Sequence, residues 1–227
     1  IQGTKFEPEV AVLKNFVHPG DVCLDIGGAY GRYAFPLSKL VGSQGHIYSF
    51  EPGDYSHHVL SSVVWFHRLK NVTIIKKGLS NKTGAMKLLL PVKQSGKVGP
   101  SLAYIGETEK NDMDSQEIEL TTIDTFFREK NLKRVDFIKC DTEGAEYLIF
   151  TGAKEVLSRF KPTVLSEVDK GNLQRFDLTT DDLKALFGGL GYKIYILEQG
   201  CLQETNNLDA ERNYFFVHTE KQDQLSQ

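Results

Sequence analysis

The stretch VCLDIGGAYGRYAF, residues 22–35, is the clearest indication of the fold in this sequence. It contains an apolar run, an acid, three closely spaced glycines and residues typical of the start of a helix. A buried strand that turns through glycines into a helix is the first unit of a doubly wound α/β sheet, and such turns hold nucleotide-like cofactors. The turn alone leaves the class of cofactor open.

The composition is that of a globular protein with a buried core. The 227 residues are 40 % hydrophobic and 25 % charged, which fits a single domain over residues 1–227 with a frayed polar tail at 219–227. The net charge of −3 at pH 7 provides no strongly basic surface, so we expect no nucleic-acid partner. The sequence has no apolar run long enough for a membrane segment and no signal-peptide pattern, so we expect a cytoplasmic protein.

Three widely separated cysteines are present, Cys23, Cys140 and Cys201. The first two lie within apolar runs, which predicts buried structural thiols. No Cys-x-x-Cys pair or His/Cys cluster occurs, so the sequence predicts no structural zinc site.

Apolar runs alternate with helix-period segments along the chain. The strand candidates are Val22–Ile26, His46–Phe50, Val72–Lys76, Phe137–Asp141, Thr163–Val168, Tyr192–Leu197 and Tyr214–His218. The helix candidates are Glu7–Phe16, Arg32–Leu40, Tyr55–Leu69, Ile123–Lys130, Ala145–Phe160 with a break at Thr151–Gly152, and Thr180–Leu190. This alternation predicts a mostly parallel, doubly wound sheet.

Two regions depart from strict alternation. Met86–Leu90 and Glu117–Leu120 predict a small β insertion around residues 84–121. The last two strand candidates are joined by about 16 residues without a helical pattern. They therefore predict an antiparallel pair at the end of the chain.

The glycine turn distinguishes two classes of cofactor. A dinucleotide site carries Gly-x-Gly-x-x-Gly, but with Gly27 as the first glycine, Ala29 and Arg32 occupy the later glycine positions. The pattern present is acid-x-Gly-x-x-x-Gly, formed by Asp25, Gly27 and Gly31. A carboxylate there would repel a pyrophosphate but suits the ammonium and sulfonium of S-adenosylmethionine. The turn favours S-adenosylmethionine, and an NAD-dependent oxidoreductase is the alternative.

Acids also end other strand candidates. Glu51, followed by Pro52, lies 20 residues beyond the last glycine of the turn, where a carboxylate can bind both ribose hydroxyls. Asp141 and Glu167 end two further candidates, and Glu143 follows at the start of a helix. Because ligands of open α/β sheets bind at the carboxyl ends of the strands, we expect these acids in one crevice.

Together these segments resemble the FkbM-like S-adenosylmethionine-dependent methyltransferases over about residues 7–198. The resemblance is carried, in order, by LDIGGAYGRYAF, IYSFEP, VTIIKKGLSNKTG, VGPSL, TTIDTF and IKCDTEGAEYLIFTGAKEVLSRFKPTVLSEV. The sequence departs from the family at Gly28–Ala29–Tyr30, where Ala-Asn-x is usual, and at Thr142, where Val or Ile is usual. The first departure could alter how the turn meets the cofactor or substrate.

The resemblance implies a class I methyltransferase fold, a Rossmann-like, doubly wound seven-stranded sheet whose last strand is antiparallel. It also implies methylation of a hydroxyl on a sugar, glycan or small natural product. By position, it assigns Asp25, Gly27, Gly28 and Gly31 to the methionine moiety, Glu51 and Pro52 to the ribose, and Gly78, Leu79 and Ser80 to the adenine. Asp141 would face the methionine ammonium or the reaction centre, and Glu7 would close over the cofactor.

A hydroxyl acceptor must lose a proton, and a positioned carboxylate can take it. The candidate bases are Glu167 and Asp141, with Glu143 behind them. The same three acids form the alternative of a Mg²⁺ or Ca²⁺ site, in which the ion lowers the pKa of the acceptor. A relative that binds the cofactor without catalysis is a further alternative.

Two other predictions concern the surroundings of the crevice. His57 and His58 are expected to be surface residues on a helix. The polar loop 91–116 is expected to contact the substrate, through Ser95, Gly96, Gly99 and Ser101.

Overall fold

Two β-sheets form within residues 7–91, 103–106 and 113–226, which are the residues that the computed structural model describes. The strands are β1 (Val22–Ile26), β2 (His46–Phe50), β3 (Val72–Ile75), β4 (Gly78–Leu79), β5 (Gly84–Pro91), β6 (Tyr104–Ile105), β7 (Met113–Thr121), β8 (Phe137–Cys140), β9 (Thr163–Val168), β10 (Tyr192–Glu198), β11 (Cys201–Glu204) and β12 (Arg212–His218). The main sheet has the order β11-β10-β12-β9-β8-β1-β2-β3, and the smaller sheet has the order β4-β7-β5-β6.

The main sheet is parallel from β3 to β9. β12 runs antiparallel to both of its neighbours, β9 and β10, which confirms the doubly wound α/β fold with an antiparallel last strand. The main sheet also contains an eighth strand, β11, beyond the seven predicted. It follows the two-residue turn Gln199–Gly200, where both residues have positive φ (51° and 82°), as the right-handed twist of a tight hairpin requires.

The helices surround the main sheet. They are α1 (Ala34–Val41), α2 (Asp54–Phe66), α3 (Ile123–Glu129), α4 (Glu146–Thr151), α5 (Lys154–Phe160), α6 (Lys170–Gln174) and α7 (Thr180–Gly189). The first predicted helix is a 3₁₀ helix, Pro8–Asn15. The predicted break separates α4 from α5 at Gly152. The short α6 was not predicted, and it is capped by the Asp169 side chain, which accepts from the Asn172 amide.

Two apolar clusters pack against the sheets. The larger one includes Phe50, Ile138 and Phe150, and the smaller one includes Leu13, Leu37 and Phe215. Cys23 and Cys140 are buried free thiols, as predicted, and Cys201 is an exposed one.

The sequence also predicted a frayed carboxy-terminal tail, a β insertion and a polar loop that contacts the substrate. Residues Thr219–Ser226, expected to be a frayed tail, form 3₁₀ turns, and the Gln222 side chain donates to Tyr195 Oη. The predicted β insertion is present as the smaller sheet. Most of loop 91–116, with Ser95, Gly96, Gly99, Ser101 and the VGPSL segment, lies outside the described residues. In the described ranges no helix has the length and apolar character needed to cross a membrane.

Candidate active site

The glycine turn joins the carboxyl ends of β1, β2 and β8. The Gly27 and Gly28 amides both donate to Phe50 O, at 3.0 Å each, and the Asp141 amide donates to Ile26 O. A Cβ at Gly27, where φ is +78°, would lie 1.9 Å from Asp141 O. Only glycine permits this approach, so Gly27 brings the end of β1 against the end of β8.

Gly28 is required by its neighbour on β2. A Cβ at Gly28 would lie 2.2 Å from Ser49 Oγ, and that hydroxyl donates to Asp25 Oδ2 at 2.7 Å. The space that an alanine methyl would fill is therefore occupied by a hydroxyl bound to Asp25. Asp25 is 2 % exposed, and burial raises its pKa to about 6, although the Ser49 hydrogen bond acts in the opposite direction.

The next residues complete the turn. Ala29 has φ +39°, a conformation that asparagine adopts more readily than alanine. Its amide donates to Glu51 Oε2 and the Gly53 amide donates to Glu51 Oε1, both at 2.9 Å. Burial raises the pKa of Glu51 to about 7, with the two amide hydrogen bonds opposing the rise. Each carboxylate oxygen keeps a second lone pair, so Glu51 can still accept from ribose hydroxyls. Gly31 instead packs against Leu60 and Val63 of α2.

A mainly apolar cleft opens beside Glu51, between the main sheet and the smaller sheet. Its lining includes Phe50, Pro52, Gly78, Leu79, Leu88 and Ile105. Ser80, predicted beside Gly78 and Leu79, lines a different cavity. It is buried, its amide donates to Thr121 O, and it is not among the residues that line this cleft.

A second, polar chamber adjoins the apolar cleft. Gly27, Ala29, Asp141 and Glu143 line both spaces. The chamber is also lined by Glu7, Asp25, Tyr30, Arg32, Tyr33, Lys139 and Glu167. The structure thus brings the three predicted acids Asp141, Glu143 and Glu167 to one chamber at the carboxyl ends of the strands.

Asp141 and Glu167 line the same chamber, and the two carboxyl groups interact. Burial, then the hydrogen bond with Asp141 and the negative charge of Asp141, raise the pKa of Glu167 to about 8. A neighbouring negative charge disfavours ionisation of a carboxyl group. Glu167 can therefore hold or accept a proton near neutral pH.

Lys139 was not predicted as a site residue. It is 1 % exposed, donates to Asn213 Oδ1 at 2.8 Å, and its Nζ lies 4.0 Å from Asp141 Oδ2. The ammonium also lies 5.0 Å from the centre of the Tyr33 ring. A buried ammonium requires compensating partners, and here the compensating charge is the carboxyl pair. The sequence feature that could have indicated Lys139 is a lysine within the otherwise apolar strand FIKC.

Glu7, which precedes the first helix, also lines the chamber. It accepts from Tyr33 Oη at 2.6 Å, from Arg32 Nη1 at 3.0 Å and from Asn213 Nδ2 at 3.1 Å. Burial acts to raise its pKa, but the hydrogen bonds from Tyr33 and Arg32 outweigh burial and lower the pKa. Asn213 thus binds both Glu7 and Lys139. The sequence motifs did not indicate Tyr33 or Asn213 as residues of the site.

The sequence matches the methyltransferase FkbM domain family over residues 25–194, about three quarters of the chain. The chain belongs to the FkbM methyltransferase family. The family match confirms the resemblance seen in the sequence and gives no support to the oxidoreductase alternative. Comparison with curated proteins finds no match.

Solved structures share the fold of this FkbM-family chain. A methyltransferase FkbM from Methylobacillus flagellatus has a TM-score of 0.55 and 17 % identity, over 87 % of this chain and 44 % of its own. A Streptococcus mutans protein in complex with S-adenosylhomocysteine has a TM-score of 0.54 and 11 % identity, over 95 % and 97 %. An rRNA methylase from Streptococcus thermophilus has a TM-score of 0.52 and 9 % identity, over 96 % and 98 %. The chain spans less than half of the Methylobacillus protein.

The metal alternative has no support in the described residues. No group of three or more His, Cys, Asp or Glu side chains there is arranged to hold an ion. The Glu143 carboxylate is engaged by Asn172 Nδ2 at 2.8 Å, and the Lys139 ammonium already supplies a positive charge beside Asp141. Glu146 is occupied by the Thr142 amide and hydroxyl.

The two predicted surface histidines lie on the first turns of α2. His58 is exposed and His57 is half-buried, and burial lowers the pKa of His57. Neither histidine lines the cleft or the chamber.

Proposed function

We propose that this FkbM-family chain transfers a methyl group from S-adenosylmethionine to a hydroxyl of a sugar, glycan or small natural product. The observation that carries the proposal is the chamber beside the glycine turn, where Asp141 and Glu167 lie together with the buried Lys139, whose Nζ is 4.0 Å from Asp141 Oδ2.

The lining residues fit the parts of S-adenosylmethionine. The apolar cleft with Leu79 and Pro52 suits an adenine, and Glu51 at its edge suits the ribose. The carboxylates of Asp25 and Asp141 lie in the adjoining chamber, where they would favour the cationic methionine end. The same acids would oppose the pyrophosphate of NAD, which argues against a dinucleotide.

When bound, S-adenosylmethionine would supply a methyl group from its sulfonium to the acceptor oxygen, and sulfur would keep the electron pair of the broken bond and leave as S-adenosylhomocysteine. Glu167, in its ionised form, takes the proton of the acceptor hydroxyl. Asp141 lines the same chamber as Glu167. Lys139 limits the negative charge that accumulates there.

The charge of the chamber favours an acceptor without phosphate. Five carboxyl groups line it, from Glu7, Asp25, Asp141, Glu143 and Glu167, and they outnumber the two cations Arg32 and Lys139 even when Glu167 carries a proton. A polyanion would be repelled by this wall. Although the structural neighbours include an rRNA methylase and a putative one, we therefore propose a small-molecule or glycan acceptor for this chain.

We also propose a cytoplasmic location. The three cysteines are all unpaired, and Cys201 is exposed. Exposed free thiols are typical of a reducing compartment.

The test is a transfer assay with deuteromethyl-labelled S-adenosylmethionine and a panel of sugars, oligosaccharides and hydroxylated natural products, read by mass spectrometry. With any acceptor that the wild type methylates, we expect Glu167→Gln to lower kcat by about 10²–10⁴-fold, the usual contribution of a general base.

Glu129→Gln, an exposed carboxylate on α3, is the matched control and should retain full activity. Normal turnover by Glu167→Gln would remove Glu167 as the base. Transfer only to nitrogen or carbon acceptors would contradict O-methylation.

A further inference from the structure

Two aromatic side chains protrude from the molecule far from the cleft. Trp65 and Phe66 end α2 and are 80 % and 73 % exposed. α2 begins at Asp54, next to the cleft, so its rise of about 1.5 Å per residue places Trp65 about 17 Å further along the helix axis. Contiguous exposed apolar side chains mark interaction sites, whereas single exposed ones are normal.

A basic groove lies directly beside this aromatic pair. Its lining includes Lys39, His46, His67, Arg68 and Lys70, and no carboxylate. His67 connects the groove to the aromatic pair, since its ring centre lies 5.2 Å from that of Phe66. The aromatic pair and the groove therefore form one continuous face.

The basic character extends through the sequence of this region. Residues 26–106 contain ten lysines and arginines but only two acids, Glu51 and Asp54, although the whole chain has a net charge of −3. Near the cleft, Lys76 forms an ion pair with Asp54, and Lys77 forms one with Glu119. Within the described part of the chain, Arg68 and Lys70 make no ion pair. Their charges remain available to a partner.

We propose that this face docks on an anionic lipid surface, with Trp65 and Phe66 entering the interface and Lys39, Arg68 and Lys70 facing the headgroup phosphates. Aromatic side chains stabilise protein at the membrane interface. Each nearby lysine or arginine adds attraction to an anionic leaflet.

The arrangement favours lipid over single-stranded nucleic acid. Nucleic-acid grooves place aromatic rings inside the groove, where bases stack on them. Here Trp65 and Phe66 are absent from the groove lining and protrude next to it, which is the arrangement that insertion into an interface requires.

The docked orientation leaves the active site accessible. His46, at the amino end of β2, lines the groove, and Glu51, just past the carboxyl end of β2, lines the cleft. The lipid-facing surface and the cleft thus lie at opposite ends of the same strand.

The measurement uses the intrinsic fluorescence of Trp65, the single tryptophan of the chain. Vesicles of phosphatidylcholine, with and without phosphatidylserine, are titrated into the protein, and binding is also followed by co-sedimentation. We expect a blue shift and co-sedimentation with the phosphatidylserine vesicles, both reduced at high salt because exposed charges are screened.

Substitutions distinguish the contribution of the basic side chains to lipid binding from that of the aromatic side chains. The triple variant Lys39→Gln/Arg68→Gln/Lys70→Gln should bind about 100-fold more weakly, from the attraction of three charges near the surface. Phe66→Ala should weaken co-sedimentation. The matched controls, Tyr55→Ala at the other end of α2 and Lys82→Gln, both exposed, should bind as the wild type does. Calorimetry with S-adenosylhomocysteine, compared with the wild type, checks that each variant is folded.

Three results would overturn the proposal. They are no binding to either vesicle, equal binding with and without phosphatidylserine, and a blue shift that poly(U) RNA produces but vesicles do not. The last result would assign the face to nucleic acid.

Discussion

At the scale of single residues, Ser49 explains why glycine occupies position 28 of the turn. The Ser49 hydroxyl fills the space above Gly28 and binds the buried Asp25. A motif shows only that glycine occupies position 28, because the reason lies on the neighbouring strand. The sequence therefore located the turn but did not show why position 28 is glycine.

This packing predicts a double-mutant cycle. Gly28→Ala should lower the free energy of unfolding by about 1–3 kcal/mol, the usual cost of overpacking. The cost should be smaller in a Ser49→Ala background, where the 2.2 Å contact with Oγ is absent. Urea denaturation of the four proteins measures both values. Equal costs in the two backgrounds would show that Gly28 is not restricted by Ser49.

The carboxyl pair predicts the pH dependence of the reaction. Glu167 must be ionised to take a proton, and its pKa is raised to about 8. The kcat/KM for the acceptor should therefore rise with pH and level off above about 8, since it reports groups of the free enzyme. A profile already level at pH 6 would contradict this assignment.

Substitutions of Lys139 test the same assignment through the pH dependence of kcat/KM. Its charge acts to lower the pKa of Glu167, so Lys139→Met should move the rise in kcat/KM to higher pH. Lys139→Arg, which keeps the charge, should move it less. A purely structural role for Lys139 would lower the rate without moving the profile.

At the scale of elements, local signals placed α3, α7 and the break between α4 and α5 close to their predicted positions. The break depends on a contact that the sequence does not show. A Cβ at Gly152 would lie 2.3 Å from Ser80 O, so the close approach of the segment after β4 requires glycine. The eighth strand was missed because the turn Gln199–Gly200 was not recognised as a hairpin signal.

The start of α5 predicts a stability effect. Asp124, on α3, accepts from the Glu155 and Val156 amides at 3.0 Å each, so it caps a helix that is distant in sequence. Asp124→Ala should destabilise the protein by about 1 kcal/mol, as the loss of a helix cap does, and Asp124→Asn by less. Thermal unfolding compares them, and an unchanged Tm for Asp124→Ala would show that this cap contributes nothing.

At the scale of the whole molecule, strand alternation was sufficient to predict the parallel sheet and its antiparallel end. The same topology brings Asp25, Asp141 and Glu167 together, because the carboxyl ends of β1, β8 and β9 are neighbours. It could not predict Lys139, Tyr33 or Asn213. Their roles depend on side-chain contacts between elements far apart in sequence, which no local pattern encodes.

Calorimetric titration of the chain with S-adenosylmethionine, S-adenosylhomocysteine and NAD tests the proposed cofactor, and with it the proposed function. We predict binding of the first two, weaker binding in Glu51→Gln because a hydrogen-bond partner of the ribose is altered, and no binding of NAD. Failure of a folded protein to bind either adenosyl ligand, or binding of NAD alone, would contradict the central claim.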